Sequence, residues 1–156
     1  MADKARIGII GTGWWATQAH LPALKKNADA DLVAIADLRP DVLAKAAAAY
    51  EVDKTYTDYI EMIDQEKLDG VIIPVHHVAH YEIARTCLER DLHIMLEKPM
   101  VLQATHAREL LHACVLYVRG AASSLPCSAV FFMSMGCRMH EVPLHTSLFT
   151  PLSSHL

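Results

Sequence analysis

"RIGIIGTGWWA", residues 6–16, decides the fold. The apolar run "ARIGII" (5–10) reads as a short strand closed by glycines, and a helical stretch follows from about Trp14 to Lys26. Between them lies Gly11-Thr12-Gly13-Trp14-Trp15-Ala16, a GxGxxA pattern. A strand before it and a helix after it are the context in which this pattern cradles a dinucleotide. Gly11 permits the tight turn, Gly13 lets backbone approach a pyrophosphate, and Ala16 keeps the helix close to the strand. The helix N-terminus then offers unpaired N–H groups and partial positive charge to phosphates.

An acid at the end of the second strand would complete that fingerprint. Asp37 ends "LVAIAD", 26 residues after Gly11, where a carboxylate can accept both ribose hydroxyls of NAD and repel a 2′-phosphate. Arg39 stands two residues on, and its guanidinium could receive a 2′-phosphate. The expected cofactor is NAD or NADP, with NAD preferred.

Outward from this unit, strands and helices alternate. "DLVAIAD" (31–37), "KTYTD" (54–58), "GVIIPV" (70–75) and "HIMLEK" (93–98) read as strands two to five. Helices are expected from Pro40, after Asp58, from about His80 to Arg90, and over 104–114; Asp58 with Glu61 resembles a capping box. Near-continuous apolar strands separated by helices predict an α/β fold with a parallel sheet covered on both faces. No internal repeat is visible.

The stretches "RIGIIGTGWWATQAHLPAL", "VAIADLRP" and "GVIIPVHHVAHYEIARTCLERDLHIMLEKPM" together resemble the N-terminal domain of the glucose–fructose oxidoreductase, inositol dehydrogenase and rhizopine-catabolism family (Gfo/Idh/MocA). The likeness spans about residues 4–110, and its most specific mark is Glu97-Lys98-Pro99. It implies a Rossmann-type doubly wound sheet and NAD(P)-dependent oxidation or reduction of sugars and polyols, with substrate held in a separate C-terminal domain. By this resemblance Gly11, Gly13 and Ala16 match the phosphate loop, Asp37 the ribose acid, and Lys98 the lysine beside the nicotinamide and the reacting oxygen. An ammonium there favours a developing alkoxide, and Pro99 restricts the backbone that aims it. His80 matches the family histidine after strand four, either as a catalytic neighbour or as a helix-start residue packed on the sheet. The Thr-Pro that usually precedes it is Val75-His76 here. His76 and His77 read as loop histidines and His20 as structural. Core packing is the expected use of Trp14 and Trp15, with a border to the cofactor or to the domain interface as the alternative.

After Leu111 the resemblance stops. Residues 111–156 carry three of the 32 charged side chains and no Lys or Asp. They read as a divergent tail to a 1–110 dinucleotide-binding domain, with the substrate domain missing. No DxxxH follows Lys98 to supply the family's proton-handling pair. A frame-shifted or alternatively spliced reading would explain the break. The sheet is therefore expected to lack its sixth strand, "AVFFM" (129–133) being the alternative. The expectation is a truncated oxidoreductase domain, inactive alone. The rival readings are a non-catalytic dinucleotide or interaction module, or a subunit completed in trans by a full-length relative.

The bulk numbers exclude other classes. A net charge of −4 with scattered Lys and Arg gives no nucleic-acid footprint. No stretch reaches membrane-span length, and a cytoplasmic location is expected. Cys87 reads as a core residue, while Cys114, Cys127 and Cys137 form no CxxC pair. "CRMH" (137–140) lacks a second ligand pair, so no metal is expected.

Overall fold

The computed structural model describes residues 4–120 and 130–132. Cys127 and "CRMH" lie outside these residues. The chain runs β1 (Ala5–Ile10), a π-helical turn (Ala16–His20), α1 (Leu21–Lys26), β2 (Ala30–Ala36), α2 (Pro40–Tyr50), β3 (Thr55–Tyr56) and α3 (Tyr59–Gln65). It continues through β4 (Gly70–Ile73), a 3-10 turn (His77–Ala79), α4 (His80–Leu88), β5 (His93–Leu96), α5 (Ala104–Gly120) and β6 (Val130–Phe132).

Every strand pairs in parallel, in the order β3-β2-β1-β4-β5-β6. This is the doubly wound order, and its direction reverses between β1 and β4. Alternation along each strand explains the two covered faces. Ile9, Ile35 and Ile72 pack with Leu21, Leu24 and Leu43 from α1 and α2. Their neighbours Ile10, Ala36 and Ile73 pack on the other face with Met62, Ala84 and Leu88 from α3 and α4. Each isoleucine so buried contributes about 2 kcal/mol. Cys87 is fully buried in the second of these clusters, where desolvation pushes its thiol up to about 12, so it behaves as an inert hydrophobe.

Local sequence accounts for the helix ends. Pro40 opens α2, where its missing N–H costs nothing. Asp58 caps α3 by accepting from the Ile60 amide at 2.8 Å. The capping box is only half formed, because Glu61 takes a bond from Gln65 instead. The helical stretch expected from Trp14 to Lys26 is present but opens into a π-helical turn over Ala16–His20. Leu21 N–H reaches back five residues to the Ala16 carbonyl, and Pro22, with no N–H, cannot restore the tighter ladder. This wide turn brings His20 inside, at 4% exposure.

The sixth strand is a correction. The sheet does not end at β5: Val130, Phe131 and Phe132 pair with Ile94, Met95 and Leu96. The β5 edge otherwise presents an unpaired row of backbone donors and acceptors, and a Val-Phe-Phe run suits an added strand.

Candidate functional site

Ligands of doubly wound sheets lie outside the carboxyl ends of the strands, at the switch point. Here that point falls between β1 and β4, and two corners are built around it.

The first corner joins β1 to β2. Gly11 has φ +98°, and its N–H donates to the Ala36 carbonyl at 2.7 Å. A Cβ at this position would stand 2.7 Å from Val75 Cγ1, so both backbone and space demand glycine. The turn delivers Thr12, which is buried, to Asp37: amide and hydroxyl reach Oδ2 at 2.8 and 3.2 Å. Arg39 donates to Oδ1 from its amide at 2.9 Å and from Nε at 3.2 Å. Burial pushes the Asp37 carboxyl up, but the Arg39 side chain and the Arg39 and Thr12 amides outweigh it. The group is held below its ordinary range. A Cβ on Gly13 would meet nothing nearer than Arg39 Nη2 at 3.7 Å, so the loop is open to a phosphate from outside. The helix from Trp14 directs its first, internally unpaired amides to the same place. Ala16 is fully buried, keeping that helix on the sheet.

The second corner lies after β4 and β5. Glu97 is 8% exposed, with Oε1 taking Trp15 Nε1–H at 2.7 Å and meeting His20 Nε2 at 2.9 Å. Its Oε2 accepts from the Lys98 amide at 3.2 Å. Lys98 itself is exposed, and among the described residues its ammonium has no ion-pair partner. His80 is buried, with Nδ1 at 2.9 Å from the Pro99 carbonyl and Nε2 at 3.0 Å from that of Val75. It braces the loop after β4 against the turn after β5 and points neither nitrogen at the neighbouring cavity. His76 and His77 are exposed loop residues.

The corners meet in a cavity of about 350 Å³ lined by Trp14, Trp15, Pro74, Val75, Glu97 and Lys98. Apolar walls with an acid and an ammonium at one end suit a flat ring carrying a reacting polar atom. The tryptophans therefore differ from the expected core packing. Trp14 is 72% exposed, and Trp15 spends its indole N–H on Glu97. A larger cavity, about 390 Å³, lies at the opposite end of the sheet among Lys4, Arg6, Lys25, Asp31 and Lys54. Three of its cations are already engaged, Lys4 with Asp31 and Arg6 and Lys54 with Glu66, and it lies away from the strand ends where such folds bind.

The fingerprint residues Gly11, Gly13, Ala16, Asp37 and Arg39 thus come together, and Lys98 stands across the cavity from them. Thr12 and the Glu97–His20–Trp15 cluster are additions that the sequence pattern does not mark. An acid placed at a buried strand end was the available signal, but partners 77 and 82 residues away leave no spacing to read. Among the described residues no three His, Cys, Asp or Glu side chains gather as metal ligands, and no helix is long and apolar enough to cross a membrane.

Residues 5–117 match the model of the GFO_IDH_MocA oxidoreductase family, described by its NAD-binding Rossmann fold. The myo-inositol 2-dehydrogenase of Thermotoga maritima is 36% identical over 97 residues, which are 62% of this chain and 29% of that protein. The crystal structure of myo-inositol 2-dehydrogenase from Lactobacillus plantarum aligns at TM-score 0.69 and 28% identity, covering 74% of this chain and 34% of that one. KijD10, a 3-ketoreductase from Actinomadura kijaniata solved with NADP and TDP-benzene, aligns at TM-score 0.72 over 83% of this chain and 37% of its own. At 23% identity that likeness is one of fold. The chain spans about a third of the length of the curated relatives it matches.

Proposed function

Since the chain belongs to the Gfo/Idh/MocA family of oxidoreductases, we propose that it forms the dinucleotide half of an enzyme acting on a sugar or polyol. The reaction moves hydride between NAD or NADP and a CH–OH carbon. The cofactor supplies the hydride acceptor or donor; the residues here hold it and manage charge. The first amides of the helix from Trp14 bind the pyrophosphate, Gly13 leaves it room, and Asp37 takes the ribose, which leans the site toward NAD. Lys98 offers its ammonium to the reacting oxygen and stabilises developing negative charge.

The observation that carries this reading is the shared cavity. Trp14 and Trp15, just after the glycine loop, and Glu97-Lys98, just after β5, wall the same space at the switch point. A pyrophosphate on the loop then puts the far end of the dinucleotide beside Lys98. A polyol substrate is supported by two of the named relatives, both myo-inositol 2-dehydrogenases. Lys98 thus contributes through the position and charge it presents to the reacting oxygen. Proton transfer and substrate orientation are each worth orders of magnitude in rate. The reduced, buried Cys87 thiol accords with a reducing, cytoplasmic setting.

Calorimetric titration with NADH tests the reading. Saturable one-to-one binding is expected, weakened about tenfold or more by Gly13→Ala, whose methyl intrudes where a phosphate approaches without touching the fold. A folded chain that binds no dinucleotide would overturn it.

A further inference from the structure

We propose that the Trp14 indole is a stacking platform for the substrate, taking the C–H face of a ring-shaped sugar or cyclitol beside Lys98 and favouring closed rings over open-chain polyols. The proposal rests on the dinucleotide reading above and names what meets the cofactor there.

Trp14 follows Gly13 directly, and its side chain is 72% exposed. A lone exposed apolar residue asks for no explanation, but this ring is held in place. Successive helical residues point about 100° apart, so Trp15 turns inward while Trp14 turns out. Trp15 donates its indole N–H to Glu97 at 2.7 Å. Trp14 rests against it, with ring centroids 5.7 Å apart and planes tilted by 36°. The outer ring is thereby braced on one that is itself anchored in the interior. Among the described residues no acceptor takes the Trp14 indole N–H, so its outer face and its donor are both open to a ligand.

Six residues wall the cavity, and of these only Trp14 and Lys98 are exposed. Its mouth therefore pairs a flat, rigid aromatic face with an ammonium. The carbon that exchanges hydride must bring its oxygen to Lys98, and the rest of the substrate then extends over what stands beside Lys98. The face of an indole is the negative pole of its quadrupole and attracts the slightly positive hydrogens of C–H bonds. A chair-form ring with equatorial hydroxyls gathers its axial C–H bonds on its two faces and keeps its hydroxyls at the rim. It can lie flat on the indole while those hydroxyls stay hydrogen-bonded. An open-chain polyol has no such face. Flattening it on the ring freezes several rotatable bonds, an entropy cost that a closed ring does not bear. Leu38 and Val78, also exposed, are aliphatic and lie off the cavity lining. Trp14 alone offers a face that sorts rings from chains.

The test is saturation-transfer NMR on the full chain at saturating NADH, with myo-inositol and the open-chain hexitol sorbitol as probes. An alcohol cannot pass hydride to NADH, so the complex does not turn over. Irradiating the indole protons should saturate myo-inositol most strongly at the three axial C–H groups that share one face. Sorbitol should receive about a tenth of that signal or less. Trp14→Ala should weaken myo-inositol binding about tenfold and remove its preference over sorbitol, whereas Trp14→Phe, which keeps a flat face, should retain most of both. Circular dichroism and NADH titration check that each variant folds and loads, and the wild-type saturation pattern decides the matter even where Trp14→Ala does neither. Saturation spread evenly over the ring protons, equal signals from the two probes, or an unchanged myo-inositol affinity in Trp14→Ala would overturn the platform. So would a chain that binds NADH but neither probe, and in each of these cases the dinucleotide reading stands. A wild-type chain that binds no NADH would overturn both.

Discussion

The corner between β1 and β2 keeps its acid's charged partner at the surface, with Arg39 reaching Asp37 from a largely exposed side chain. The corner beyond β5 seals its acid in: Glu97 is 8% exposed, and its nearest donors are half-buried Trp15 and buried His20. Both carboxylates sit at strand ends, at the same edge of one sheet. Their difference is in what can replace the partners. Water screens the Asp37–Arg39 pair, so a ligand can exchange for the guanidinium at small cost. Nothing can exchange for the indole or imidazole without leaving a donor unsatisfied in the interior. The pairing in the first corner can thus be rearranged, whereas that in the second fixes the backbone at Lys98.

The sharpest way to break this contrast is Glu97→Ala. It strands the Trp15 N–H and the His20 ring and should remove about 3 kcal/mol of stability. The check is the urea midpoint. A change under about 1 kcal/mol would place Glu97 with ordinary surface acids. Gly11→Ala comes next, at about 2 kcal/mol, from the left-handed φ together with the crowding at Val75. Glu97→Ala should also change Trp15 emission, whereas Gly11→Ala should act on stability and dinucleotide affinity together.

A smaller effect distinguishes the corners by pH. Burial raises the Asp37 carboxyl, but Arg39 and Thr12 lower it further, so its folded value lies below that of an ordinary aspartic acid. A depressed acid contributes stability that is complete above its unfolded value and is lost as pH falls through the folded one. Wild type should therefore exceed Asp37→Asn in urea midpoint at pH 7 and at pH 5. The two curves should converge as pH falls through and below the ordinary range of an aspartic acid. A gap that persists unchanged at pH 2 would mean that the stabilisation does not come from the ionised carboxylate. The smallest effect is that of Arg39→Ala on stability itself, a urea midpoint barely moved from wild type.

The same contrast marks what the sequence makes legible. The ribose corner is local: Gly11, Gly13 and Asp37 stand in one βαβ unit at fixed spacing, and fixed spacing is what a linear pattern preserves. Strands one to five are legible for a related reason, since full burial on both faces leaves an unbroken apolar run such as "GVII". Lys98 and His80 could be located only through the likeness to relatives. The bracing role of His80 depends on two carbonyls, of Val75 and Pro99, that carry no side-chain signature. Trp14 and Trp15 misled because a tryptophan pair weighs as core by hydrophobicity alone, whereas its place on the glycine loop puts one ring outside. β6 was hard to read because an apolar triplet in a charge-poor stretch has no period to fix it, and the pairing that defines it comes from the waiting edge of β5.

The wide turn ending at His20 also has a consequence for how the chain is made. Trp15 and His20 are synthesised 82 and 77 residues before the acid that satisfies them. Until β5 has been added beside β4, their polar nitrogens have water as their partner, and enclosing them early would cost about 1–3 kcal/mol each. The glycine loop, first in the sequence, is thus among the last parts to reach its final form. Emerging chains should stay protease-sensitive around Trp14 and Trp15 until Glu97 has left the ribosome, and become resistant there in one step once it has.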